Sequence, residues 1–355
     1  MKKFLGFILV LMIFTSIELF AATVSIDYSG TGWSPAVQTA ANNFVIDLNT
    51  NRNMAKIGHQ NKLASGFANA NAYAANSASF AGYEGYDVFA FMLGLSTGAT
   101  IPKNGSLDSD KIKEEKDVDL GVGVSSAFNL GINLTNLGLD LLPNRLYMNI
   151  KFFTFSIDGN KGKENEWSGK MTTFGIGFNY QLVDRGGDRF RLFKWTGLSV
   201  GTGFIYNKNK VVFHTKLDQE DYNFDTTYRL TFEPNTQFGL DVSTYTIPIE
   251  ISTSVRLLWL FNFTLGAGLD MSFGTSKIVA KADSPVYLYN GGSLQSGVAT
   301  AHIDGTTTDN PSPLNPKVMF GFGLCLGPIP IDARITYYPG STTGLAANIG
   351  TGIVW

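Results

Sequence analysis

The chain has 355 residues, a formal net charge of −2 and 16% charged residues, well below the roughly 25% of soluble domains. No basic excess points to nucleic acid, and one cysteine, Cys325, excludes an internal disulfide framework. Beyond the N-terminus no apolar run reaches the roughly 18 residues of a membrane helix, so a membrane-spanning form must be a closed barrel.

Lys2 and Lys3 precede the apolar run Phe4 to Phe14, and Phe20-Ala21-Ala22 offers a cleavage region. This predicts a cleaved signal peptide over residues 1–22. No cysteine stands near the cut to take a lipid. Residues 23–85 read as an N-terminal helical segment. Thr23 to Tyr28 alternates weakly, as one strand. Ser34 and Pro35 suit a helix start, and Ala36 to Leu48 follows as a helix. A second helix is predicted over Lys62 to Ala81, rich in Ala and Asn, with Leu63, Phe67, Ala74, Ala78 and Ala81 on one face. Small residues let it lie close to another surface. Two placements stay open: a plug folded into a lumen, or a helical cap below a barrel.

Asn71-Ala72-Tyr73-Ala74 in that helix resembles part of the hatch motif of the long-chain fatty-acid outer-membrane transporters. The Asn-Pro-Ala triplet usual in that hatch is missing. The resemblance implies an outer-membrane barrel of fourteen strands with a lumen-filling segment, and it carries no substrate residue across.

From residue 86 to 355 the pattern has a period of two and predicts barrel wall. Val88 to Ile101 opens it, and Lys103 to Asp117 follows as a charged outer connection. Val118 to Leu134 alternates apolar groups with Asp119, Gly121, Gly123, Ser125, Asn129, Gly131 and Asn133. The third segment, Leu146 to Asp158, changes parity, and a β-bulge near Phe152 would restore it; otherwise its aromatics face inward. Phe174 to Leu182 and Trp195 to Tyr206 are the fourth and fifth strands. Residues 207–243 read as a hairpin extending strands five and six above the membrane, with an extra wall hairpin as the alternative. Tyr245 to Leu257 and Phe261 to Phe273 alternate cleanly about a tight turn at Trp259. Asp283 to Leu314 reads as a long polar loop. Val318 to Leu326, Ile331 to Tyr337 and Gly344 to Trp355 complete the chain. The last strand ends on an aromatic and resembles the C-terminal assembly signal of outer-membrane barrels, which makes Trp355 that signal. Short and long connections alternate, and Trp195, Trp259 and Trp355 fall at one end with Tyr206, Tyr245 and Tyr337 at the other, as interfacial girdles do.

The fold class predicted is therefore all-β, a closed antiparallel transmembrane barrel of about ten strands, with twelve or fourteen as alternatives. His59, His214 and His302 show no metal-ligand spacing, and no Gly-x-Ser-x-Gly marks a nucleophile. No catalytic residue, metal ligand or cofactor is assigned, and the chain reads as a non-enzyme. The candidate lumen-lining residues are Asp119, Glu250, Arg256, Asp270, Asp332 and Arg334. They could fill a narrow barrel as salt bridges or line a solute path. The function predicted is a passive or gated path for small or amphipathic solutes, located in the outer membrane of a two-membrane bacterium. Its partners would be outer-membrane lipids and the barrel-assembly machinery. The alternative is a structural or adhesive surface protein that displays its outer loops.

Overall fold

A computed structural model describes residues 23–29, 33–35, 38–39, 41–43, 60–75, 86–101, 119–137, 145–159, 165–184, 192–216, 219–223, 228–290 and 292–355. The predicted signal peptide and the connection Lys103 to Asp117 lie outside the described residues, as do parts of both predicted helices.

Ten strands form a closed ring. In chain order they are β2 (Phe89–Thr100), β3 (Val122–Asn133), β4 (Leu146–Gly159), β5 (Asn165–Asp184), β6 (Phe193–Lys216), β9 (Asn235–Leu257), β10 (Phe261–Asn290), β13 (Leu314–Leu326), β14 (Ile329–Tyr338) and β15 (Gly344–Val354). Each pairs antiparallel with the next, and β15 pairs with β2 to close the wall. At the closing seam, Trp355 N donates to Phe89 O at 2.9 Å and Val88 N donates to Trp355 O at 2.8 Å. The ten-stranded reading holds. Leu258 and Trp259, both left-handed (φ 53° and 51°), make the β9–β10 turn, which Leu260 N closes on the Leu257 carbonyl at 3.1 Å.

Burial alternates along the wall. On β13, Leu314, Pro316, Val318, Phe320 and Phe322 are exposed, while Asn315, Lys317, Met319, Gly321 and Gly323 are buried. The wall is therefore apolar outside and polar inside, the reverse of a soluble sandwich. Phe152, Phe174, Tyr206, Tyr245 and Phe273 are successive register partners across five strands. They form an outward aromatic row, with Tyr206 and Tyr245 5.0 Å apart. Beyond this row the polarity inverts. Lys170, Lys208, Lys210, Asp241 and Lys277 take the outer face, with Lys208 and Asp241 paired at 3.5 Å. Val211, Leu240 and Ile278 take the inner one. The inversion marks where these strands leave the membrane.

The five long strands continue beyond it as an extension. β6 and β9 stay paired from residue 205 to 216, as the hairpin reading expects, so 207–243 adds height rather than wall strands. A small hairpin, β7 (Glu220–Asn223) and β8 (Tyr228–Phe232), tops it. The segment Asp283 to Leu314 is not a loop. β10 runs on to Asn290 and returns as β11 (Ser293–Asp304) and β12 (Thr307–Asp309). Its Ser, Thr and Gly content suggested a loop, yet Ser284, Val286 and Leu288 keep strand parity and are buried. β1 (Thr23–Ser29) pairs with β11, and Trp33 and Ala41 pack with Leu230, Val286, Leu288, Ala299 and Ala301. β1, Trp33 and Ala41 thus sit at the extension, while β2 starts at the opposite, short-turn end.

β4 carries no bulge. Its register with β5 is continuous from Leu146 to Gly159. Instead β3 and β4 pair only from Asn133↔Tyr147 to Phe128↔Phe152 and then part. The freed Val124 carbonyl accepts from the side chains of Asn209 (2.7 Å) and Asn207 (3.3 Å). The parity change at Phe153 follows from this parting, because the wall at that height no longer encloses β4 on both edges.

A cation should therefore be tolerated on the outer face according to height. Leu265→Lys, within the apolar belt, is expected to cost about 2–4 kcal/mol of folding free energy, whereas Thr275→Lys, beyond the aromatic row, should cost about 0–1 kcal/mol. Reversible unfolding in lipid vesicles measures both.

Candidate functional site: the occupied lumen

The lumen is filled at its upper half by α1 (Gln60–Ala74), which packs on β2, β3, β6, β9, β10, β12 and β15. Alanine makes this stretch helical, but the small residues have a second effect. Ala64, Ala68, Ala70, Ala72 and Ala74 are all essentially buried, so the helix is enclosed around most of its girth rather than on the single face predicted. Its seat is cut from wall glycines. A Cβ at Gly98 of β2 or Gly123 of β3 would strike the Ala70 carbonyl, and one at Gly344 of β15 would strike the Tyr73 ring. Small meets small on both surfaces, which lets a helix fit a ten-stranded lumen. Of the two open placements, the helix takes the lumenal one.

Four side chains of α1 reach out from the helix in different directions. Asn71 Nδ2 donates to Thr244 Oγ1 at 2.8 Å and to the Asn207 carbonyl at 3.0 Å. Asn207 Nδ2 donates back to Asn71 Oδ1 at 3.1 Å, and Asn209 Nδ2 donates to the same oxygen. Asn69 Oδ1 accepts from Ser312 N at 2.7 Å. Tyr73 stacks on Tyr338 with ring centroids 3.9 Å apart and donates to the Thr342 carbonyl at 2.8 Å. Near the start of the helix, Ser65 Oγ donates to Asp119 Oδ1 at 3.0 Å.

Below the helix lies a charged belt. Tyr338 OH donates to Asp270 Oδ2 at 3.1 Å, and Lys317 Nζ donates to Asp270 Oδ1 at 2.6 Å and to Glu250. Register explains the meeting. Glu250, Gly268 and Lys317 are consecutive partners across β9, β10 and β13, and the glycine between leaves room for the two side chains to touch. The Tyr73–Tyr338–Asp270–Lys317–Glu250 chain connects α1 to this belt without a break.

Of the six candidates, Glu250, Asp270, Asp332 and Arg334 are buried on the inner face. Glu250 and Asp270 are joined through Lys317. Arg256 is half-buried nearer the short-turn end, where its Nη2 donates to Cys325 Sγ at 3.2 Å. Asp119 stands just before β3, at the rim, where it accepts from Ser65 of α1 and from Thr342. Lys317 and Lys151 were missed, although both have inward parity, Lys317 with Met319 and Lys151 with Asn149. Trp355 is exposed at the short-turn end, where its backbone completes the ring.

The chain belongs to the Lsa36-like family, whose match covers residues 18–355. No curated protein sequence matches it. Among solved structures it is similar to the translocator domain of the autotransporter NalP from Neisseria meningitidis, at 10% identity over 77% of this chain and 90% of that one, with a TM-score of 0.30. It is also similar to the toluene transporter TbuX from Ralstonia pickettii (9%, 76% and 90%, TM-score 0.24). A third is LpxR from Salmonella typhimurium (8%, 74% and 100%, TM-score 0.25). At these values the likeness is one of architecture and assigns no role to any residue.

Removing the shared cation tests the belt. Lys317→Met should destabilise the barrel by roughly 3–5 kcal/mol, because two buried carboxylates lose their partner. Adding Glu250→Gln and Asp270→Asn should restore most of that loss. Urea titration of the refolded barrel reads both.

Proposed function

We propose that this member of the Lsa36-like family is an outer-membrane barrel providing a gated path for small or amphipathic solutes, with α1 as the gate. One observation carries the reading: the hydrogen-bonded ring closes entirely without α1, so the helix occupies the lumen without being part of the wall. Its ties are side-chain hydrogen bonds and one ring stack, all of which water and solute can replace. The path would run from the extension, past the site of α1, through the charged belt to the short-turn end. That end faces the periplasm if this barrel follows the usual rule of short inner turns and longer outer segments.

A second reading is favoured by a different observation. The extension has its own apolar core, built from β1, β8, β10 and β11 with Trp33 and Ala41. That is the construction of a displayed module, and it supports the structural or adhesive alternative.

Planar-bilayer conductance separates the two. The full chain should conduct rarely, Asn71→Ala more often, and a form lacking residues 23–85 continuously. If none of the three conducts while circular dichroism shows each barrel folded, the path is overturned and display remains.

A further inference from the structure

A cavity of about 30 Å³ opens in the lumen beneath α1, lined by Asn149, Lys151, Asn179, Ile205, Pro248 and Glu250 among others. That is space for about two water molecules. Its position is set by register. Lys151, Gly175, Ile205 and Thr246 form one row across β4, β5, β6 and β9. Asn179, Gly201 and Glu250 form another row nearer the short-turn end. Ile205 therefore lies between the cavity and the Asn207–Asn71 contacts, as a partial lid.

Lys151 is the unusual member. It is only 5% exposed, and among the described residues no hydrogen bond or ion pair engages its ammonium. Buried ammonium groups are costly unless paired. The neighbouring carboxylate of Glu250 acts on it at a distance and is hydrogen-bonded to Lys317 instead. The charges acting on Lys151 are Glu250 and Asp270 on one side and Lys317 and Arg334 on the other. Amide donors are also present. Asn149 and Asn179 lie against Gly177 and Gly201, where a Cβ would meet their side-chain oxygens. No other side chain claims their N–H groups among the described residues.

We infer that this cavity binds one small monovalent anion, either a free halide or the carboxylate head of a solute, with Lys151 as its counter-charge and the two asparagine amides as donors. As the selective point of a conducted path, it rests on the gated-path reading. As a binding site it does not.

The experiment uses the full refolded chain and two probes. Crystals grown with sodium bromide should show an anomalous bromine peak beside Lys151 Nζ. Thermal unfolding should rise with bromide or with formate against a gluconate background. Both effects should be lost in Lys151→Met, a variant that removes an unpaired buried charge and keeps the apolar stem. A rise with bromide alone identifies a halide site, and a rise with formate identifies a carboxylate site. Equal responses in the wild type and Lys151→Met, or no peak at the cavity, overturn the inference. In bilayers under a potassium chloride gradient, the reversal potential should favour chloride in the conducting form and lose that preference in Lys151→Met. Absence of all conductance sinks the path reading alone, since the bromide arms still decide the anion site.

Discussion

A strand in lipid can satisfy its backbone only against another strand, and everything else in this molecule follows from that. The wall must close, and it does so between β15 and β2 with the final residue contributing both its N–H and its carbonyl. Closure fixes which face is which. Side chains of one parity meet hydrocarbon and those of the other meet a lumen only modestly wider than an eight-stranded one. The polar groups that the outer face excludes accumulate inside, where burial forces them into pairs. The Lys317 pairing with Glu250 and Asp270 is the result of that crowding, and it explains why a chain with so few charges buries several of them.

The wall was legible because its signal is a parity, repeated over strand after strand, and parity survives errors at strand ends. Ten strands, the girdles and the inward direction of Glu250, Asp270, Asp332 and Arg334 all rest on it. Errors arose where parity alone was insufficient. Lys317 stands one residue before the predicted start of its strand, and Lys151 stands two residues before the change of parity at Phe153, where inward and outward cannot be told from parity alone. The parting of β3 from β4 is a tertiary event with no local signature. The β10–β11 hairpin was hidden by composition, since Ser, Thr and Gly serve a solvent-exposed strand as readily as a loop once a partner edge is present.

The lumenal placement of α1 was the least legible feature, for a physical reason. An Ala- and Asn-rich helix is compatible with many surfaces, and its own sequence states only that it can approach something closely. The information lies in the wall: in Gly98, Gly123 and Gly344, which look like ordinary barrel glycines until the helix is set against them. The asparagines acquire meaning in the same way. Asn71 is an indifferent helix residue until Asn207, Asn209 and Thr244 surround it.

Those three glycines come from β2, β3 and β15, the strands on either side of the closing seam. The seat of α1 is therefore assembled only when the first and last ring strands meet. β1 is paired at the extension, and β2 begins the wall at the far end. Closure and seating are thus coupled in assembly, though not in the finished ladder, which needs no bond from the helix. The wall and the helix are thus held by different kinds of contact. The wall holds by backbone pairing that lipid enforces, while the helix holds by side-chain contacts inside a polar lumen, where water can compete for every one of them.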